Sequence, residues 1–316
     1  MRTLIIIIIS TFLISCSVNK SSNTEINERL IESFEQAYQS GQWEQALSYI
    51  DTLRARKVNL NILPIEAECY AGLGQHEKAI SLLENEIKLD TMKNIYYVHS
   101  TLGNVYTHKS NFNKAIEHYK KSIQIRPTYA RPYINIGDIY NHLNEKDSCV
   151  YYYLSAIKLF AENNFFNEVV DFSQRVISID SLNIEGYKFL QYGFQSLDNH
   201  KDAVSVGLIL DDIITSNDLQ GRDEKHLNWL FTGISAYKCG DIQLSHELIY
   251  SSIQQETVRR DYGWLAYCLL SAIQNKLGNN DLAKQYADIA TKVDSMKTAE
   301  YIKDLLGVCK INCVTQ

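Results

Sequence analysis

Large apolar residues recur at three- and four-residue spacing along most of this chain, in runs separated by short polar stretches. That spacing gathers the apolar side chains on one face of a helix and leaves the polar ones opposite. Residues 102–127 show the unit: one amphipathic run, the polar turn His108-Lys109-Ser110-Asn111, a second run, then Pro127, which lacks an N–H to extend the helix. This pattern predicts a helical hairpin.

The unit returns. At an offset of 34 residues Gly103 matches Gly137, Tyr106 Tyr140, Ala115 Cys149, Tyr119 Tyr153, Ser122 Ala156 and Ile125 Leu159. Glycine costs a helix about 1 kcal/mol against alanine, so its recurrence predicts a place where two helices come close. Gly103 and Ala115 are the expected small pair at that crossing, with Tyr106 and Tyr119 beside it, and Ser122 and Ala156 playing the same part against the next hairpin.

Fainter copies surround these two. Gly41, Trp43 and Ala46 mark a first hairpin, and Ala67, Tyr70, Gly74 and Ala79 a second. Tyr192, Asn199 and Ala203, then Trp229, Gly233 and Gly240, then Leu270, Gly278, Ala283, Ala287 and Ala290 mark three more. Between them the phase slips: 147–161 reads as a second helix, and so does 165–179. Either the first of these serves two hairpins, or Asn163-Asn164 joins two stacks, and a junction near 162–165 is expected. The polar stretch Thr215 to Glu224 reads as an extended loop, and Thr298 to Leu306 as a capping helix.

These residues resemble the tetratricopeptide repeat family, whose pattern is W-x2-L-G-x2-Y, then A-x3-F, then P. Here it is His99-x2-Leu102-Gly103-x2-Tyr106, Ala115-x3-Tyr119 and Pro127, then Tyr133-x2-Ile136-Gly137-x2-Tyr140 and Cys149-x3-Tyr153. The resemblance covers roughly 26–296 and implies an all-α superhelical solenoid of stacked hairpins, with a first stack over 26–161 and a second over 162–296, followed by a cap and tail over 297–316. It also implies a partner-binding concave face lined by the first helices. Its inward positions fall on Tyr97, Ser100, Asn104 and His108, then Arg131, Ile134, Asp138 and Asn141. Asn104 and Asn135 match two asparagines of a clamp that grips peptide carboxylates in some members, but Ser100 stands where that clamp has lysine. Each of these positions is equally readable as a solvated helix face.

Composition agrees with a helical fold: of 316 residues 45% are hydrophobic and only 3 are proline. A net charge of -6, with both signs mixed along the chain, offers no stripe for nucleic acid. The first residues stand apart. Met1-Arg2-Thr3 followed by the apolar run Leu4 to Ile14 reads as an export signal over 1–15, too short for a permanent membrane span. Leu13-Ile14-Ser15-Cys16 resembles the lipobox of bacterial lipoproteins, which implies acylation of Cys16 and a stable anchor. Residues 16–25 then form a linker reaching roughly 15–20 Å. With neither Asp nor an acidic cluster behind Cys16, the resemblance points to the outer membrane, facing the periplasm.

Of the other cysteines, Cys69, Cys149, Cys239 and Cys268 fit small apolar core slots, while Cys309 and Cys313 are open to a disulfide or to none. Motifs for phosphate loops, serine nucleophiles and zinc proteases are missing. His99, His108 and His118 are spaced so as to face apart across two helices. No cofactor, metal or catalytic residue is expected. The reading is a non-enzymatic, lipid-anchored scaffold that holds a protein or peptide, in cell-envelope assembly or maintenance. The alternative is a receptor or transport component binding a small molecule or glycan where the two stacks join.

Overall fold

The computed structural model describes residues 22–58, 62–89, 94–217 and 222–294. Cys16, most of the linker, Cys309, Cys313 and the expected cap lie outside them. Among the described residues there are fifteen helices and no strand: α1 Ser22–Gln39, α2 Trp43–Ala55, α3 Leu63–Gly72, α4 His76–Leu89, α5 Ile95–His108, α6 Phe112–Ile125, α7 Ala130–His142, α8 Lys146–Glu162, α9 Phe166–Ile179, α10 Ile184–Ser196, α11 His200–Asn217, α12 Arg222–Cys239, α13 Ile242–Ser252, α14 Glu256–Lys276 and α15 Asn280–Val293. α1 starts four residues before Ile26, the expected beginning of the folded body. None of the helices is long and apolar enough to cross a membrane.

One turn builds every hairpin. A single residue with positive φ stands at Gly41, Gly74, Ser110, Asn144, Asn164, Asp198, Gly240 and Gly278. Around each, the positive-φ residue donates its N–H to the carbonyl three back, and the next residue donates to the carbonyl five back, as with Ser110 to Thr107 and Asn111 to Tyr106. This paired bonding satisfies carbonyls that a helix end leaves open and reverses the chain within three residues.

The turn also sets the register. Five residues beyond it stand Ala46, Ala79, Ala115, Cys149, Val169, Ala203, Ser245 and Ala283, all buried. Twelve beyond stand Leu53, Ser122, Ala156, Val176, Leu210, Ser252 and Ala290, buried again. The same paired bonding recurs at Lys57, after α2; the turns inside hairpins are 33 to 42 residues apart, except that Asn164 follows Asn144 by 20. α8 is therefore bounded by the same turn at both ends, as α2 is, and the short interval puts the phase break at 163–165.

The chain divides into two compact units, up to Tyr152 and from Tyr153 onward. In the first, Leu83, Val98, Leu102, Val105, Tyr119 and Ile136 make one apolar core, and Ile31, Phe34, Ile50 and Leu53 another beside it. Tyr140 stacks on Tyr152 at 5.7 Å. In the second, Phe172 packs against Tyr153 and Phe160, and Leu230, Ile249, Leu269 and Ile273 centre the core further on.

Three expectations need correction. Of the polar stretch 215–224, residues 215–217 end α11 and 222–224 begin α12, with Lys225 donating to Thr215 at 2.9 Å, so the expected loop is confined to 218–221, outside the described residues. Cys239, unlike buried Cys69, Cys149 and Cys268, is exposed, because it is the last residue of α12 before the Gly240 turn. A side chain on Gly103 would meet the ring of Tyr119, not Ala115.

Candidate functional site

The Gly103 correction leads to the site. α5 and α6 form one hairpin, and with no side chain at Gly103 the Tyr119 ring lies directly against α5. Its hydroxyl donates to Oδ1 of Asn104 at 2.8 Å and lies 3.2 Å from the Thr107 hydroxyl. The glycine thus lets a residue of the second helix deliver a polar group to the face that the first helices of the first unit share.

From Asn104 a chain of hydrogen bonds runs across that face. Asn135 on α7 donates to the same Oδ1 at 2.9 Å. The amide nitrogen of Asn104 donates to Oε1 of Glu68 on α3 at 3.1 Å. Tyr38 on α1 donates its hydroxyl to the other Glu68 oxygen. Asn135, Tyr119, Asn104 and Tyr38 all point their donors toward one carboxylate, directly or through Asn104. Satisfied networks of this kind hold their members in one arrangement.

Burial lifts the Glu68 carboxyl above its ordinary pKa, against the hydrogen bonds from Tyr38 and Asn104 and the positive charge of Arg131, which pull it down. Burial likewise raises Tyr38, Tyr97, Tyr119 and Tyr129, the last to about 12, and Glu68 pushes all four the same way. At neutral pH these hydroxyls are uncharged donors. The rings of Tyr97 and Tyr129 meet at 68° with centroids 6.4 Å apart.

The sequence-derived positions divide in three. Asn104 and Asn135 bond each other within the network, and Tyr97 and Arg131, both half-buried, surround Glu68. His108, Asp138 and Asn141 are exposed, and His108 stacks on His76 at 6.4 Å. Ser100 is 1% exposed, enclosed in the helix packing rather than offered to a partner. Sequence reasoning missed Glu68, Tyr38 and Tyr119. The first two could have been found: Glu68 lies six residues before Gly74 as Asn104 lies six before Ser110, and Tyr38 three before Gly41 as Thr107 three before Ser110.

The histidines also differ from expectation. His99 and His118, on the two helices of one hairpin, face each other with Nδ1 atoms 3.1 Å apart. Burial first, then His99 and Lys121, lowers the pKa of His118 to about 4. Among the described residues no group of three or more His, Cys, Asp or Glu could hold a metal ion.

Family models agree with this architecture. A TPR repeat model matches residues 103–143 and a tetratricopeptide repeat model 130–163. The chain carries tetratricopeptide repeats over residues 103–163. Solved structures with a similar fold include MamA, 16% identical, covering 63% of this chain and 98% of MamA, with a TM-score of 0.39. Another is YrrB, described as a TPR protein with an unusual peptide-binding site, 13% identical, covering 70% of this chain and 97% of YrrB, TM-score 0.39. A chain of the Cut9–Hcn1 assembly is 12% identical with a TM-score of 0.41, and the match covers 88% of this chain and 55% of that one. No curated protein matches the sequence.

Proposed function

We propose that this protein is a lipid-tethered, non-catalytic scaffold of the outer membrane, facing the periplasm. It holds a segment of a protein partner on the shared face of α1, α3, α5 and α7, in cell-envelope assembly or maintenance. Tetratricopeptide repeats are scaffolds for protein–protein interaction. The observation that carries the choice of face is the hydrogen-bond chain from Asn135 through Asn104 to Glu68 and Tyr38, which fixes polar groups before a partner arrives. Preorganised groups lose little freedom on binding, so more of each contact appears as affinity. The anchor rests on the lipobox-like Leu13-Ile14-Ser15-Cys16, and tethering raises the local concentration of scaffold at the membrane.

The test is photo-crosslinking in intact cells from a reactive residue at Asp138 or Asn141, compared with one at exposed Glu84 on α4. A protein captured from the first two positions and not from the third supports the face. Equal labelling from all three overturns it. A Cys16→Ser strain in parallel should release the protein from the membrane fraction, and unchanged fractionation would remove the anchor.

A further inference from the structure

Six residues before the turn, the four successive first helices of the first unit carry Glu35, Glu68, Asn104 and Asp138. Three carboxylates and one amide thus share a register. In the second unit the same position before Asn164, Asp198, Gly240 and Gly278 holds Lys158, Tyr192, Ile234 and Ala272. Negative charge at this register marks the first unit alone.

Glu68 is the built member of this row. Both of its oxygens accept bonds from neutral donors, Tyr38 and Asn104, and each keeps a further lone pair. The positive charge of Arg131 acts on it from a distance. A carboxylate withdrawn from water and held only by neutral groups gains most from an incoming cation. Tyrosine rings stand around it. Tyr97 and Tyr129 form an aromatic corner, and Tyr38 packs edge-on to Trp43 at 5.7 Å. Aromatic faces beside a carboxylate attract ammonium and guanidinium groups. The buried hydroxyl of Ser100 lies within hydrogen-bonding reach of the Tyr129 hydroxyl.

We propose that Glu68, with Tyr38, Tyr97 and Tyr129, receives the cationic side chain of a lysine or arginine from an extended segment of the partner protein. This rests on the scaffold reading above and adds the partner's chemistry to it. Arg131 is the internal competitor, since it favours an acidic segment on the same face.

The test uses the purified protein and acetylated, amidated hexapeptides of alanine with one central residue: arginine, lysine, norleucine or glutamate. Binding is followed by NMR at the side-chain amides of Asn104 and Asn135. The arginine and lysine peptides should bind at least ten-fold more tightly than the norleucine peptide, and the glutamate peptide more weakly still. Glu68→Gln, which keeps the shape and accepts from Tyr38, should abolish the preference, while Glu35→Gln should leave most of it. Should Glu68→Gln unfold the chain, Tyr97→Leu provides a second variant with the same expected loss. Equal binding of arginine and norleucine peptides overturns the cation site yet leaves a peptide-binding face. Tighter binding of the glutamate peptide overturns it in favour of Arg131, and no binding of the cationic peptides overturns it outright.

Discussion

Two hairpins, one in each unit, solve one packing problem with opposite residues. Seven before the turn and nine after it, two side chains compete for the same space. In the first unit the pair is Gly103 and Tyr119, small on the first helix and large on the second. In the second unit it is Gln191 and Gly207, large on the first and small on the second, and a side chain on Gly207 would meet Gln191 and Thr232. Gly233 with Ile249 repeats the first arrangement without a polar atom. In each of these pairs one member is glycine, and which helix carries the larger side chain decides where its polar group goes. Tyr119 sends its hydroxyl into the network that ends at Glu68. Gln191 donates to Thr232 at 2.8 Å, next to Asn228 bonding the Gly207 carbonyl at 2.8 Å. That second network joins α10, α11 and α12 without an ionisable side chain. One unit retains a charge on its face, and the other uses its polar groups as internal bonding.

Breaking the pair should give the largest effect. Gly103→Leu forces the Tyr119 ring out and is expected to cost about 3 kcal/mol, at the upper end of overpacking penalties. Tyr119→Ala alone should cost a similar amount through the cavity it leaves. If the two share one space, the double variant will be at least 1 kcal/mol more stable than the summed losses predict, as read from urea unfolding. Strict additivity would show that the residues do not compete. Gly207→Leu with Gln191→Ala should repeat the cycle in the second unit.

The faces can be separated by function next. Tyr97→Ala with Arg131→Ala should weaken partner capture at least ten-fold and lower the melting temperature only slightly, since Arg131 lies at the surface of the packing. Glu185, thirteen before its turn as Tyr97 is before Ser110, is the matched control in the second unit, and Glu185→Ala should leave capture unchanged. Crosslinking yield from Asp138 measures both.

A pH effect belongs to the first unit as well. The pKa of His118 is depressed on folding, to about 4, and that of His99 is depressed too. A group lowered on folding contributes stability above its unfolded pKa, about 6.5, and loses it as pH falls through the folded value. Unfolding therefore takes up protons between about pH 6.5 and 4, and stability declines across that window. Both rings are partly exposed, so screening keeps the effect modest. Replacing both by leucine should flatten the decline between these pH values, and an unchanged slope would assign it to other groups.

Much of this was legible in advance for a physical reason. Helical hairpins are local, and their apolar spacing, small residues and terminal proline lie within 34 residues of one another. The positions of Asn104, Asn135, Tyr97 and Arg131 came from the family resemblance that this register carries. Glu68 did not stand out because its chemistry comes from neighbours on three other helices, and a carboxylate on a polar face reads as solvated. The His99–His118 contact was hidden for a related reason. Spacing along one helix says nothing of what the partner helix places opposite. Cys239 shows the reverse failure, a residue with the right period at a helix end where the period no longer buries anything.

The turn provides the finest comparison and the smallest effect. Gly41, Gly74, Gly240 and Gly278 take positive φ freely, but Ser110, Asn144, Asn164 and Asp198 hold it with a side chain. Left-handed backbone costs an L-residue about 1–2 kcal/mol, somewhat less for asparagine, which is tolerated there. Asn164, at φ 61°, closes the short 20-residue interval that holds α8. Asn164→Gly should therefore stabilise by about 0.5 kcal/mol, the relief of strain being partly offset by the greater freedom of glycine in the unfolded chain. Asn164→Val should destabilise by about 1–2 kcal/mol, since a β-branched residue is least tolerant of positive φ. Thermal unfolding of the two variants beside the parent measures both signs. If valine is accepted without loss, the paired hydrogen bonds alone hold the turn, and the phase break at α8 does not depend on the residue at its hinge.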